Sequence, residues 1–193
     1  MKLLFIISGS IAVKKCPIIL KKLSDKKVHI NCIITNSAKK MIDKKIIQKC
    51  IKGKIFDDSS ERNRKMLHIT LTRKSDLVVV CPATANLIAK FSNGYADDLA
   101  STSLIASNKQ ILFMPAMNVE MWNNKINKKN VTKLQKSGVE KAWINLHWQS
   151  EMVKAEALAA ANGMNIQFIH EAALLGTGGT LLKVSNFDGK TCC

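Results

Sequence analysis

Four times along this chain a short apolar run is closed by small, hydroxyl or amide residues, and helical spacing recurs between the runs. That alternation is what most restricts the fold. The runs are residues 2–7 (KLLFII), 28–34 (VHINCII), 77–81 (LVVVC) and 110–114 (QILFM). They are closed by Ser8-Gly9-Ser10, by Thr35-Asn36-Ser37, by PATAN at 82–86 and by PAMN at 115–118. Short, nearly continuous apolar runs bounded by turn residues read as strands buried on both faces, the habit of parallel sheets.

The intervening segments predict helices. Apolar residues at 11, 12, 16, 19, 20 and 23 follow helical spacing. Pro17 falls inside that set and predicts a kink or a delayed regular start. Residues 39–54 read as a basic helical region and residues 56–63 as a polar loop. Residues 87–91 continue as helix to a break at Asn93-Gly94, and Asp97-Asp98 open another helix over 99–106. Residues 124–137 form an amphipathic pattern ended by Gly138, and residues 139–146 predict a fifth strand. Strand, polar loop and helix in this order specify an α/β fold with a doubly wound parallel sheet. Ligands of such sheets collect outside the carboxyl ends of the strands. The loops at 8–10, 82–86 and 115–118 are therefore expected to line one crevice.

With 193 residues, the chain is long enough for one α/β domain with a substantial core. No apolar run approaches the ~18 residues of a membrane span. The N-terminal MKLLFIISGS imitates a short signal peptide, but Ser8-Gly9-Ser10 interrupts it and no small-residue cleavage site follows. A cytoplasmic location is expected. The formal net charge is +16, with lysines in recurring pairs. Aromatic residues make up only 5%, so solvated helix faces explain the charge better than nucleic-acid binding does. That charge would draw in anionic substrates such as phosphate esters. The six cysteines include no CxxC pair and no disulfide framework, so no metal site is expected. Cys32 and Cys81 lie inside apolar runs, where cysteine acts as a small hydrophobe.

Several residues carry chemistry. A strand, the SGS loop and a helix in succession present backbone amides to an anion, although the loop is not GxGxxG. Thr35, Asn36 and Ser37 suit phosphate or ribityl contacts; capping of a helix by Asn36 or Ser37 is the structural alternative. His68 precedes or begins a short helix, and a lone histidine is more often structural than catalytic. Asp97-Asp98 fit a helix first turn better than a metal site. Asn118 sits in an uncharged turn beside Met117, Met121 and Trp122, which suits the wall of a flat, largely apolar pocket.

Five segments taken together resemble the flavin-containing cysteine decarboxylases. They are SGSIA at 8–12, His68-Ile69 ahead of the DLVVV run, PATAN at 82–86, NGYADD at 93–98 and PAMNVEMW at 115–122. The likeness is greatest to the phosphopantothenoylcysteine decarboxylases, the flavin half of the bacterial coenzyme A biosynthesis flavoprotein, and covers residues 1–146. This resemblance implies a flavodoxin-like fold, bound FMN, a phosphorylated cysteinyl substrate and a homotrimer or trimer-based assembly with flavin at subunit interfaces. It implies that Gly9, Ser10 and Ile11 approach the FMN, with Thr35 and Ser37 near its phosphate. Thr84 and Asn86 would line flavin or substrate. His68 would be the catalytic histidine, and Asn118 would hold the substrate carboxylate with Met121 in the same wall. In the family's mechanism, oxidation of the CH2–SH unit to a thioaldehyde creates the electron sink that decarboxylation needs. A neutral amide can then orient the carboxylate without the ground-state stabilisation of an ion pair.

The chain departs from this family after residue 146. The family carries a clamp there whose cysteine protonates the product, whereas this sequence has no cysteine between 82 and 191. Residues 151–161 read instead as an alanine-rich helix. GTGGT at 176–180 and SNFDGKT at 185–191 faintly resemble the start of the ligase domain of bifunctional relatives. Residues 147–193 are thus expected to be a divergent segment, a remnant of clamp and ligase start. Other functions consistent with the residues are a peptidyl-cysteine oxidative decarboxylase, which needs no clamp cysteine, and a non-catalytic flavin-binding subunit. PAMNVEMW and His68 speak against a flavin prenyltransferase.

Overall fold

A computed structural model describes residues 1–62, 66–136, 141–146 and 165–170. The main sheet contains β1 (Lys2–Ile7), β2 (His29–Ile34), β3 (Ile55–Phe56), β4 (Leu77–Ala83) and β5 (Ile111–Pro115), in the order β3-β2-β1-β4-β5. Every pairing is parallel. This is the doubly wound α/β sheet that the alternation predicts. The chain winds outward from β1 through β2 to β3, then returns to the other side of β1 with β4 and β5. β1 is therefore the point where the winding reverses.

The two-residue period of the strands explains the two cores. Leu3, Phe5, Ile7, Cys32, Ile34, Val79 and Cys81 face one side of the sheet. Leu4, Ile6, Ile33, Val78, Val80 and Phe113 face the other. Both sets are buried, so β1 and β4 have no polar face at all. Each large side chain buried in this way contributes about 1.5–3 kcal/mol relative to exposure. The first face is covered by α1 (Cys16–Asp25) and α3 (Lys44–Gln48) through Cys16, Ile19, Leu20 and Ile47. The second is covered by α5 (Leu67–Arg73), α6 (Ala85–Ser92), α7 (Leu99–Ile105) and α9 (Lys125–Lys136).

Several local expectations change. Pro17 does delay the regular helix: residues Ile11–Lys15 form a 3-10 turn, and α1 begins at Cys16 with the proline in its first turn, where its missing N–H costs nothing. The basic stretch at 39–54 is not one helix: it starts at the last residue of α2 (Asn36–Lys39) and otherwise holds only the short α3. The expected loop at 56–63 instead holds the end of β3 and a helix, α4 (Asp58–Arg62). Asp57 explains this helix, since its Oδ1 accepts from the N–H groups of Ser59 and Ser60 as a cap. β3 reaches β2 because Gly53 has no side chain: a Cβ there would lie 2.0 Å from the Ile30 carbonyl oxygen. β4 does not stop at Pro82 but continues to Ala83, with a cis Cys81–Pro82 peptide and a shift in register against β5.

The expected fifth strand exists as β6 (Lys141–Leu146), yet it pairs in parallel with β7 (Asn165–His170) in a separate two-stranded sheet. The fifth strand of the main sheet is β3. The expected helix at 151–161, the GTGGT and SNFDGKT segments, Cys192 and Cys193 lie outside the described residues. Among the described residues, no helix is long and apolar enough to cross a membrane. Cys16, Cys32, Cys50 and Cys81 are free thiols, and burial pushes the Cys32 thiol well above its ordinary pKa.

Candidate functional site

A cleft of about 930 Å³ opens at the carboxyl ends of β1, β2, β4 and β5, around the reversal point of the winding. The loop after β1 contributes Ser8, Gly9, Ser10 and Ile11. The start of α2 contributes Thr35, Asn36 and Ser37, and the start of α6 contributes Thr84, Ala85 and Asn86. Ala116, Met117, Asn118 and Met121 close the wall after β5. The fold thus brings Gly9, Ser10, Ile11, Thr35, Ser37, Thr84, Asn86, Asn118 and Met121 to one cleft.

These loops are tied to one another. The Ser8 hydroxyl donates to the Pro82 carbonyl at 2.6 Å and accepts from the Thr84 N–H at 3.1 Å. The Ser10 hydroxyl donates to the Ala116 carbonyl at 3.2 Å. A Cβ on Gly9 would stand 2.5 Å from the Ser37 Cβ, so only glycine lets the first loop lie against α2. Gly9 therefore lines the cleft with backbone and meets Ser37 with the side it lacks. The N–H groups of Gly9, Ile11, Asn36 and Ser37 have no acceptor among the described residues, which leaves four donors around this junction.

Four lining residues cap α-helices: Thr35, Thr84, Asn118 and Asp98. Thr35 caps α2 by accepting from the Ala38 N–H, so the cap is neither Asn36 nor Ser37 as the sequence suggests. Thr84 caps α6. Asn118 caps α8 (Val119–Asn123), its Oδ1 accepting from the Met121 N–H at 2.7 Å. That bond identifies which end of the amide is oxygen and leaves the Nδ2 hydrogens as the donors for a ligand. Asn86 is exposed, and its amide has no hydrogen bond among the described residues.

The chain's large positive charge does not enter the cleft. Among the described lining residues the only cation is Lys90, and it is held by Asp97 at 2.8 Å and Asp98 at 2.7 Å. Burial opposes the Lys90 charge, but hydrogen bonds to both aspartates outweigh it and hold its pKa above the ordinary value. The Lys90 hydrogen bond in turn holds the Asp97 carboxyl below the usual carboxylate range. Asp98 also caps α7, in a capping box with Ser101. Asp58 lines the cleft while accepting from the Leu99 N–H and the Asn36 amide. Sequence reasoning missed Asp58, Lys90 and Asn36 as a group. The run Asp57-Asp58-Ser59-Ser60-Glu61 had the signature of a helix start that would have placed Asp58. Among the described residues, no cluster of three His, Cys, Asp or Glu is placed to hold a metal ion.

His68 is not among the residues lining the cleft. It is the second residue of α5, and its Nδ1 lies 2.5 Å from Glu61 Oε1. α4 links the two places, with Asp58 at the cleft and Glu61 at the histidine.

Comparison with known proteins agrees with this geometry. The family model described as Flavoprotein matches residues 1–168. A coenzyme A biosynthesis bifunctional protein CoaBC of Bacillus subtilis is 34% identical over 137 residues, which cover 70% of this chain and 34% of that protein. The chain thus spans about a third of the length of the bifunctional relatives it matches. A probable phosphopantothenoylcysteine decarboxylase of Streptococcus mutans is 31% identical over 141 residues, covering 71% of this chain and 79% of that one. A solved PPC decarboxylase variant complexed with pantothenoylaminoethenethiol is 28% identical with a TM-score of 0.65, covering 71% of this chain and 78% of its own. The chain belongs to the Flavoprotein family, within the flavin-containing cysteine decarboxylases.

Proposed function

We propose that this chain binds FMN in the cleft and decarboxylates 4′-phosphopantothenoylcysteine to 4′-phosphopantetheine, as a carboxy-lyase of cytoplasmic coenzyme A biosynthesis. The observation that carries this reading is the convergence of the SGS, PATAN and PAMN loops on one cleft at the winding reversal. Every described residue that lines the cleft lies between 8 and 121, so we assign the chemistry to the unit at 1–146 and treat 147–193 as a divergent segment.

The residues fit an FMN. The volume lies in the range of cofactor pockets, and unengaged N–H groups of Gly9, Ile11, Asn36 and Ser37 gather beside the hydroxyls of Ser10, Thr35 and Ser37. Such a donor set suits a phosphate. Thr84, Asn86 and Met117 would border the flavin. When bound, FMN supplies two-electron redox chemistry at the cysteinyl CH2–SH unit.

The chain's own residues position the group that leaves. Asn118 is anchored by its oxygen and turns its NH2 donors to the substrate carboxylate. With Lys90 neutralised by two aspartates, that carboxylate meets an amide and no free cation. A strong ion pair would stabilise the charged ground state more than the transition state, in which that charge is leaving the carboxylate, and would slow the reaction. Met121 would shield the same wall from water. His68 would handle the proton, since a neutral imidazole offers one donor and one acceptor nitrogen.

We infer a homotrimer in which a second copy completes the site. This accounts for His68 standing outside its own chain's cleft while large apolar side chains are exposed at the rim, with Ile11 at 78%, Val119 at 59% and Met121 at 45% exposure. The test is the visible absorption spectrum of the purified protein after FMN addition, followed by product mass with 4′-phosphopantothenoylcysteine. Flavin uptake and loss of carbon dioxide alone give the saturated thiol and support the reading. A protein unable to take up FMN overturns it. A product lacking two further hydrogens would assign an oxidative decarboxylase.

A further inference from the structure

We propose that Glu61 is a positioning residue for His68, fixing which imidazole nitrogen carries the proton and which faces the substrate. The inference rests on the reading of His68 as the proton-handling histidine.

Glu61 Oε1 lies 2.5 Å from His68 Nδ1. Glu61 Oε2 is buried and has no hydrogen-bond partner among the described residues. Among the described residues the imidazole is thus the one hydrogen-bond partner of this carboxylate, which is about a third exposed. A carboxylate can only accept, so the neutral ring must carry its hydrogen on Nδ1 to satisfy it. Nε2 is then the lone-pair nitrogen. It has no hydrogen bond among the described residues and is left to exchange a proton with a ligand. When Nε2 takes that proton, the carboxylate at Nδ1 stabilises the resulting cation without itself being protonated, the logic of an acid–histidine pair in catalytic triads.

The backbone supports a fixed ring. Met66, immediately before α5, adopts a left-handed conformation with φ of 58° although it is not glycine. Such geometry is strained and persists where surrounding structure holds it, often near functional residues. Here it starts α5 so that His68 faces back toward α4. The Thr72 hydroxyl donates to the His68 carbonyl at 3.0 Å and braces the same turn. Of the other acidic groups nearby, Asp58 is committed to Leu99 and Asn36, and Asp98 to Lys90 and Ser101. Neither is available to replace Glu61. The bland alternative is a surface pair that merely joins α4 to α5.

The test uses the full chain with FMN and ¹⁵N-labelled histidine, comparing wild type with Glu61→Gln, Glu61→Ala and His68→Asn. In the neutral ring, wild type is expected to show protonated Nδ1 and unprotonated Nε2. Glu61→Gln retains an acceptor and should keep this tautomer, but it lacks the charge that stabilises the imidazolium and should lower kcat. Glu61→Ala should shift the ring toward the Nε2–H tautomer and lower kcat about 10- to 100-fold with KM little changed. FMN affinity should be unchanged in both, because Glu61 does not line the cleft. An unchanged His68 tautomer in Glu61→Ala overturns the proposal, whatever happens to activity. A Glu61-dependent tautomer in a protein that does not decarboxylate would sustain the positioning role and sink the functional reading instead.

Discussion

Gly9 and Ser37 stand so close that a single added carbon on the glycine would lie 2.5 Å from the Ser37 Cβ and 2.9 Å from its carbonyl carbon. This contact joins the loop after β1 to the start of α2. It sets the spacing of the donors proposed to hold a phosphate. Gly9→Ala must push α2 and the loop apart. Overpacking of this kind costs about 1–3 kcal/mol. FMN titration is expected to show at least tenfold weaker binding, while circular dichroism reports an intact fold. Unaltered FMN affinity would show that the junction does not contact the cofactor.

Asn118 combines two roles that substitution can separate. Asp can replace it as the cap of α8, since a carboxylate also accepts from the Met121 N–H. It cannot donate to a substrate carboxylate and adds a like charge. Asn118→Asp is therefore expected to keep the thermal midpoint and lower kcat/KM by at least a hundredfold. Asn118→Ala should lose a cap of about 1 kcal/mol as well. Equal activity in wild type and Asn118→Asp would remove the amide from the mechanism.

Asp57 predicts an acid sensitivity. Burial would raise its pKa, but hydrogen bonds from Lys44, Ser59 and Lys39 outweigh this and hold it well below the usual carboxylate range. Its folded pKa is depressed, so its stabilisation is fully present above the unfolded value of about 4 and is lost as pH falls through the folded one. Asp57→Asn should cost about 2 kcal/mol at neutral pH. The difference from wild type should shrink in urea melts carried toward pH 2–3. A constant difference across that range would contradict the assignment.

Lys90 offsets part of the negative charge that Asp97 and Asp98 bring to the cleft. Lys90→Met releases two carboxylates beside the proposed flavin site. Binding of anionic FMN should weaken several-fold at low salt and recover partly at high salt, because exposed charges are screened. Isothermal titration at two ionic strengths measures this. Salt-independent weakening would indicate a packing effect.

Much of the sheet was legible in the chain. β1, β2, β4 and β5 appear as apolar runs because both of their faces are buried, and the loops at their ends stand out as small and amide residues. β3 was not legible. Two residues long, it is a strand only because Gly53 lets it approach β2. The helix α4 lay in a polar stretch with no apolar period to read, marked only by the capping signature of Asp57. The likeness in SGSIA, PATAN and PAMNVEMW named the residues of the cleft, but it did not show that Thr35, Thr84 and Asn118 are also the caps that set the loops in place.

Local order in the chain was enough to determine β1, β2, β4 and β5, the polar loops at their ends and the class of the sheet, because burial on both faces leaves a pattern in consecutive residues. Contacts across the fold decided the rest: the fit of Gly9 against Ser37, the neutralisation of Lys90, the pairing of β6 with β7, and the placement of His68 against Glu61 and outside its own cleft. Each of these depends on distances between elements far apart in sequence or on where a turn directs a side chain. No periodicity along one chain encodes such a distance.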